Sequence, residues 1–75
     1  MNNADRLNKL ERYVNSAIAR LRREGFDAEI VDKNSFEQSI CVAVGYSYYT
    51  VYASAMKKYT LGELCERMKR KTSNK

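Results

Sequence analysis

Ser39-Ile-Cys-Val-Ala-Val-Gly-Tyr-Ser-Tyr-Tyr-Thr-Val-Tyr-Ala53 decides how this chain folds. Ile40, Val42 and Val44 alternate with Cys41 and Ala43, the period of a half-buried strand. Gly45-Tyr46-Ser47 offers a turn, because glycine enters positive φ without a Cβ clash. Tyr49, Val51 and Ala53 then alternate again. A loop of two residues, at 45–46 or 46–47, places Ile40, Val42, Val44, Tyr49, Val51 and Ala53 on one face. Cys41, Ala43, Tyr48, Thr50 and Tyr52 then share the other. A three-residue loop instead joins Val42 and Val44 to Tyr48 and Tyr52. The two-residue loop gives the drier core face and is the reading adopted.

Moving towards the N-terminus, Phe36, Gln38 and Ile40 continue the even parity, so this strand is expected to begin at Phe36 and span 36–44. Asp32-Lys33-Asn34-Ser35 has turn chemistry. Before it, Phe26, Ala28 and Ile30 alternate with Asp27, Glu29 and Val31, which predicts a strand over 26–32. The strand after Gly45 is expected over 48–54. Three strands in succession predict an antiparallel meander, and three strands with one face covered can stand where a lone hairpin is marginal.

Both covers are visible. Leu7, Leu10, Val14, Ala17, Ile18 and Leu21 recur at steps of three and four, while the charged residues fall mostly off that stripe. Asn2 or Asn3 supplies an N-cap and Gly25 a left-handed C-cap, giving a helix over 3–24. Downstream, Thr60-Leu-Gly-Glu63 is a capping box, with Tyr59 and Leu64 placed as a hydrophobic staple. Leu61, Leu64, Cys65 and Met68 form the stripe of a second helix, over 60–71. The expectation is a single α+β domain over 1–75. It is a two-layer sandwich in α-β-β-β-α order, with both helices on one face of a three-stranded antiparallel sheet.

That order resembles the double-stranded RNA-binding domain. Lys57-Lys58, just ahead of the second helix, matches the first two positions of that family's Lys-Lys-x-Ala-Lys motif, read here over residues 57–61. The family's Gly-Pro-x-His loop has no counterpart, as the chain contains neither proline nor histidine. The resemblance implies a shared topology, and topology does not carry function.

The chain has 75 residues and a formal net charge of +5. Its charge is unevenly spread. Residues 1–24 are basic, residues 25–56 hold Asp27, Glu29, Asp32 and Glu37 against Lys33, and residues 57–75 are the most basic. No apolar run approaches membrane-spanning length, and the first residues lack the blocks of a signal peptide, so a cytoplasmic protein with no membrane association is expected. Two cysteines and no histidine give neither a disulfide scaffold nor a zinc site. The middle carboxylates alternate or sit in turns, and no phosphate-binding glycine loop is present, so the expectation is a non-enzyme with no catalytic residues, metal or cofactor.

The functional expectation is a small basic binding module. Nucleic acid is the first candidate partner, DNA or RNA, with Arg20, Arg22 and Arg23 on one flank and Lys57, Lys58, Lys69, Arg70 and Lys71 on the other contacting phosphates. Tyr46, Tyr48 and Tyr52 are candidate aromatic contacts, able to stack bases or to seat a protein. The alternative is an adaptor or inhibitor of a host protein machine, of the kind phages and mobile elements encode, docking on an acidic protein surface. A homodimer through the open sheet face or its edge is the third. Part of the basic cluster at the last helix also serves that helix directly, since cations favour its C-terminus.

Overall fold

The computed structural model describes residues 3–73. Helix α1 (Asn3–Arg23) is followed by β1 (Ala28–Asn34), β2 (Ser39–Val44) and β3 (Ser47–Tyr52). A short helix α2 (Ala55–Lys58) and helix α3 (Leu61–Ser73) close the chain. The sheet order is β1-β2-β3, antiparallel throughout. Helix α1 packs against α3, β1 and β2, while α3 packs against β2 and β3, so both long helices cover one face. This is the expected two-layer arrangement. Of the expected cap residues for α1, Asn2 lies outside the described residues.

The turn between β2 and β3 settles the face assignment. Val44 pairs with Ser47, Val42 with Tyr49 and Ile40 with Val51, so the loop is Gly45-Tyr46, two residues long. Gly45 has φ 61° and Tyr46 has negative φ, the pattern of a type II′ turn. Ile40, Val42, Val44 and Val51 are consequently buried under the helices, with Tyr49 packed against them. Leu10, Val14, Ala17, Ile18 and Leu21 of α1 and Leu64, Cys65 and Met68 of α3 complete the core. Truncating one of its fully buried leucines to alanine costs about 2–5 kcal/mol.

Helix α1 ends as its glycine requires. Gly25 has φ 94°, its N–H donates to the Arg22 carbonyl at 3.0 Å, and the Phe26 N–H donates to the Leu21 carbonyl at 3.0 Å. These two bonds define a Schellman motif, in which the residue after the glycine folds back on the helix. Phe26 therefore belongs to the helix cap, and β1 starts at Ala28 instead of at residue 26.

The β1–β2 hairpin departs from expectation more widely. Ala28 pairs with Val44 and Ile30 with Val42, but Asp32 pairs with Cys41, so Val31 is an extra residue in a β-bulge. The bulge changes the parity of everything after it, and β1 runs on to Asn34. The loop is Ser35-Phe36-Glu37-Gln38, and the strand predicted from residue 36 begins at Ser39. Asn34 organises this loop: the Glu37 N–H donates to Asn34 Oδ1 at 2.9 Å, an Asx turn. Gln38 takes φ 54° and its carbonyl accepts from the Ala53 N–H at 2.9 Å. Phe36 is left 92% exposed at the tip.

After β3 the chain makes one unanticipated helical turn, α2, with Ala55 buried. The Tyr13 hydroxyl donates to the Tyr59 carbonyl at 2.7 Å and lies 3.2 Å from the Ala55 carbonyl, tying α1 to both ends of that turn. Burial, with Glu63 nearby, pushes the Tyr13 phenol pKa up. The capping box forms as read: the Thr60 N–H donates to Glu63 Oε1 at 3.1 Å and the Glu63 N–H to Thr60 Oγ1 at 3.2 Å. Helix α3 begins one residue later, at Leu61.

Candidate functional site

Three antiparallel strands between two helices force those helices to run the same way. Helix α1, β2 and α3 point in one direction, β1 and β3 in the other. The C-termini of α1 and α3 therefore meet at one pole of the molecule, beside the Gly45-Tyr46 turn. Contacts at this pole bear that out. The Gly45 N–H donates to the Asp27 carbonyl at 2.8 Å, Ser47 Oγ donates to the Lys71 carbonyl at 3.3 Å, and Lys69 Nζ reaches Glu24 Oε1 at 2.7 Å.

Arg22, Arg23, Lys69, Arg70 and Lys71, expected on two separate flanks, are thus gathered at one end, whereas Arg20 is directed away from it. They are not equivalent there. Arg22 Nε donates to the Ala28 carbonyl at 2.9 Å, which ties the end of α1 to the first residue of β1. Lys69 bridges Glu24 at 2.7 Å and Glu66 at 3.1 Å, and those hydrogen bonds raise its pKa. Both cations are engaged within the fold. Arg23 Nε donates along its own helix to the Ala19 carbonyl at 3.4 Å, and Arg20 reaches across to the first turn of α3 near Gly62. Among the described residues, no carboxylate lies within ion-pair distance of Arg20, Arg23, Arg70 or Lys71. Tyr46 stands fully exposed on the adjoining turn.

Lys57 and Lys58 lie elsewhere. They sit on α2, beyond the far end of β3, where Lys57 lines a depression with Arg6 and Met56. Six strand residues separate the two ends of β3, about 20 Å. The eight basic residues therefore form two groups. Their separation was legible in principle, since an odd number of strands puts a residue following β3 at the pole opposite one that ends α3.

The open face of the sheet has a different character. Its rows, taken across β1, β2 and β3, are Glu29-Ala43-Tyr48, Asp32-Cys41-Thr50 and Asn34-Ser39-Tyr52. Small residues occupy the middle, carboxylates and an amide one side, and tyrosines the other. Tyr48 is 64% and Tyr52 50% exposed. Tyr48 shares its row with Glu29 and Tyr52 with Asn34, while Asp32 lies in the row between them, so the carboxylates of this face repel phosphate. A depression at the pole end of this face is lined by Asp27, Glu29 and Arg22. The basic surface belongs to the helix side of the pole alone.

Both thiols are free. Cys65 Sγ contacts the Ala17 carbonyl at 3.6 Å in the helix–helix seam, and burial pushes its pKa up, the reverse of an activated nucleophile. Among the described residues no cluster of three potential metal ligands occurs, and no helix is long and apolar enough to cross a membrane. One contact absent from the sequence reading is Arg67 over the Tyr59 ring, 4.1 Å from its centroid. Its signal was available: Tyr59 precedes the capping box, and Arg67 lies two turns along the same helix. No protein-family model matches the chain, and no curated protein and no solved structure matches it either.

Proposed function

We propose that this protein binds nucleic acid through the helix side of the pole where α1 and α3 end. The observation that carries the reading is the convergence of Arg23, Arg70 and Lys71 there, with no carboxylate in ion-pair range among the described residues. Three cations projecting from two parallel helix ends suit a phosphate backbone, which favours unpaired positive charge through counterion release. Tyr46 at the same pole is placed to add an aromatic contact. Tyr48 and Tyr52, on the open face that carries Glu29 and Asp32, are not part of this interface, and Lys57 and Lys58 lie too far away to share one compact surface with it.

A mobility-shift titration over a range of salt concentrations tests this. The expected result is binding to DNA or RNA that weakens steeply with salt, by a log–log slope of roughly 0.9 per duplex phosphate neutralised. Replacing Arg23, Arg70 and Lys71 by glutamine should reduce that slope by about one for each cation removed. The same change at Lys57 and Lys58 should leave it unaltered. Absence of binding to single-stranded and duplex probes at low salt ends the proposal.

A further inference from the structure

The sheet has two edges, and only one is protected. On β1, Arg22 Nε occupies the outward carbonyl of Ala28 at 2.9 Å, the Val31 bulge interrupts the strand, and exposed Asp32 and Lys33 follow. Those are the devices by which natural sheets discourage a further strand. Strand β3 carries none of them. Its two-residue turn makes Val44 and Ser47 a hydrogen-bonded pair, so Tyr49 and Val51 also direct their backbone groups at β2. Tyr48, Thr50 and Tyr52 direct theirs away from the sheet. No turn or loop backbone hydrogen bond among the described residues reaches those three.

A groove of about 190 Å³ runs beside this edge, lined by Tyr49, Thr50, Tyr52, Lys58 and Tyr59 among others, with no carboxylate in its lining. Arg67 stands over the Tyr59 ring, and the Lys71 carbonyl accepts from Ser47 at the other end of the strand. Lys58, Arg67 and Lys71 therefore flank the helix side of the β3 edge. The carboxylate at the start of α3 on this side, Glu63, is folded back onto Thr60.

We infer that β3 is a docking edge for an extended acidic peptide segment of another protein, which adds to the sheet as a fourth strand. Its backbone would bond to Tyr48, Thr50 and Tyr52, as in other cases of strand addition. Alternate side chains follow the period of two: those on the helix side are acidic and meet Lys58, Arg67 and Lys71, and those on the open side are apolar and lie beside Tyr48 and Tyr52. The charge pattern selects this occupant over a second copy of the chain. Two β3 strands paired about a twofold axis would set Lys58 of one copy towards Lys71 of the other, opposing like charges. The inference shares Lys71 with the nucleic-acid reading and otherwise uses different residues, so Lys58 and Arg67 carry its test.

The test uses the full chain and a short labelled peptide in which glutamate alternates with valine, with a lysine–valine peptide as control. Fluorescence anisotropy should show binding of the acidic peptide only. Amide exchange followed by NMR should show new protection at Tyr48, Thr50 and Tyr52, with Tyr49 and Val51 unchanged. Thr50→Pro should abolish binding while the fold persists, because proline is tolerated where a strand N–H faces solvent. Lys58→Glu and Arg67→Glu should each weaken binding by about fivefold, and this pair decides the matter if the proline variant fails to fold. Equal binding of both peptides, protection on β1 instead of β3, or protection of Tyr48, Thr50 and Tyr52 that grows with protein concentration alone would overturn the inference. So would an oligonucleotide that perturbs those three amides when the acidic peptide does not.

Discussion

The two hairpins of this sheet share the central strand β2 and differ in almost everything else. The β2–β3 turn is two residues long and rests on one glycine, Gly45, whose φ of 61° suits no other residue as well. The β1–β2 hairpin has a four-residue loop, a bulge at Val31 and a left-handed residue that is glutamine, Gln38. One hairpin is specified by backbone geometry and the other by side-chain hydrogen bonds from Asn34. The first tolerates little substitution, whereas the second distributes its constraints over several weak contacts. Each nonetheless leaves an aromatic residue at its tip, Tyr46 and Phe36.

This contrast can be broken by substitution. The largest effect is expected for Gly45→Ala. A Cβ there would lie 2.5 Å from Thr72 Oγ1 and require positive φ, so the variant should lose about 2–3 kcal/mol in a denaturant titration. Asn34→Ala, which removes the Asx turn accepting the Glu37 N–H, should cost about 1 kcal/mol. Gln38→Gly should raise stability by about 0.5 kcal/mol. It relieves the left-handed strain and removes a buried side-chain oxygen, Oε1, that has no hydrogen-bond partner, against the loss of its amide's bond to the Ser35 carbonyl. Phe36→Ser should change stability by less than roughly 0.5 kcal/mol, since the ring is outside the core. If Gly45→Ala proves no costlier than Asn34→Ala, the distinction between the two hairpins collapses.

The same contrast explains what could be read from the residues. Gly45 between two alternating runs set the turn length, and with it the buried faces of β2 and β3. Gly25 and the Thr60–Glu63 box marked the end of α1 and the start of α3, because each is a residue pattern that one backbone geometry strongly favours. The other hairpin carried no such mark. Parity counted backwards from Ile40 brought Phe36 onto the core face, on the assumption that alternation was unbroken. The bulge at Val31 has no glycine to announce it, and Gln38 holds a conformation that glutamine seldom takes. The binding candidates fared in a similar way. Local pattern identified the basic residues, but their division into a pole group and the α2 pair follows from helix direction, a property of the whole meander. The presence of Asp32 on the open face, in the row between those of Tyr48 and Tyr52, depends on cross-strand register, which the bulge had altered.

The bulge has one more consequence, best put as a change of reading frame. Up to Ile30, even-numbered residues of β1 face the helices. Val31 is passed over, and from there odd-numbered residues do. Lys33 thereby stands in the column of Ile40, on the helix side, where its amino group reaches Glu11 of α1 at 3.4 Å. Asp32 moves to the column of Cys41, on the open face. Were Val31 paired with Cys41 instead of skipped, the aspartate would fall into the helix-side column and the lysine into the solvent one. That the ladder skips this valine thus decides which sign of charge each layer carries at this end of the molecule. Deleting Val31 should therefore close the bulge and leave Asp32 and Lys33 on their present faces.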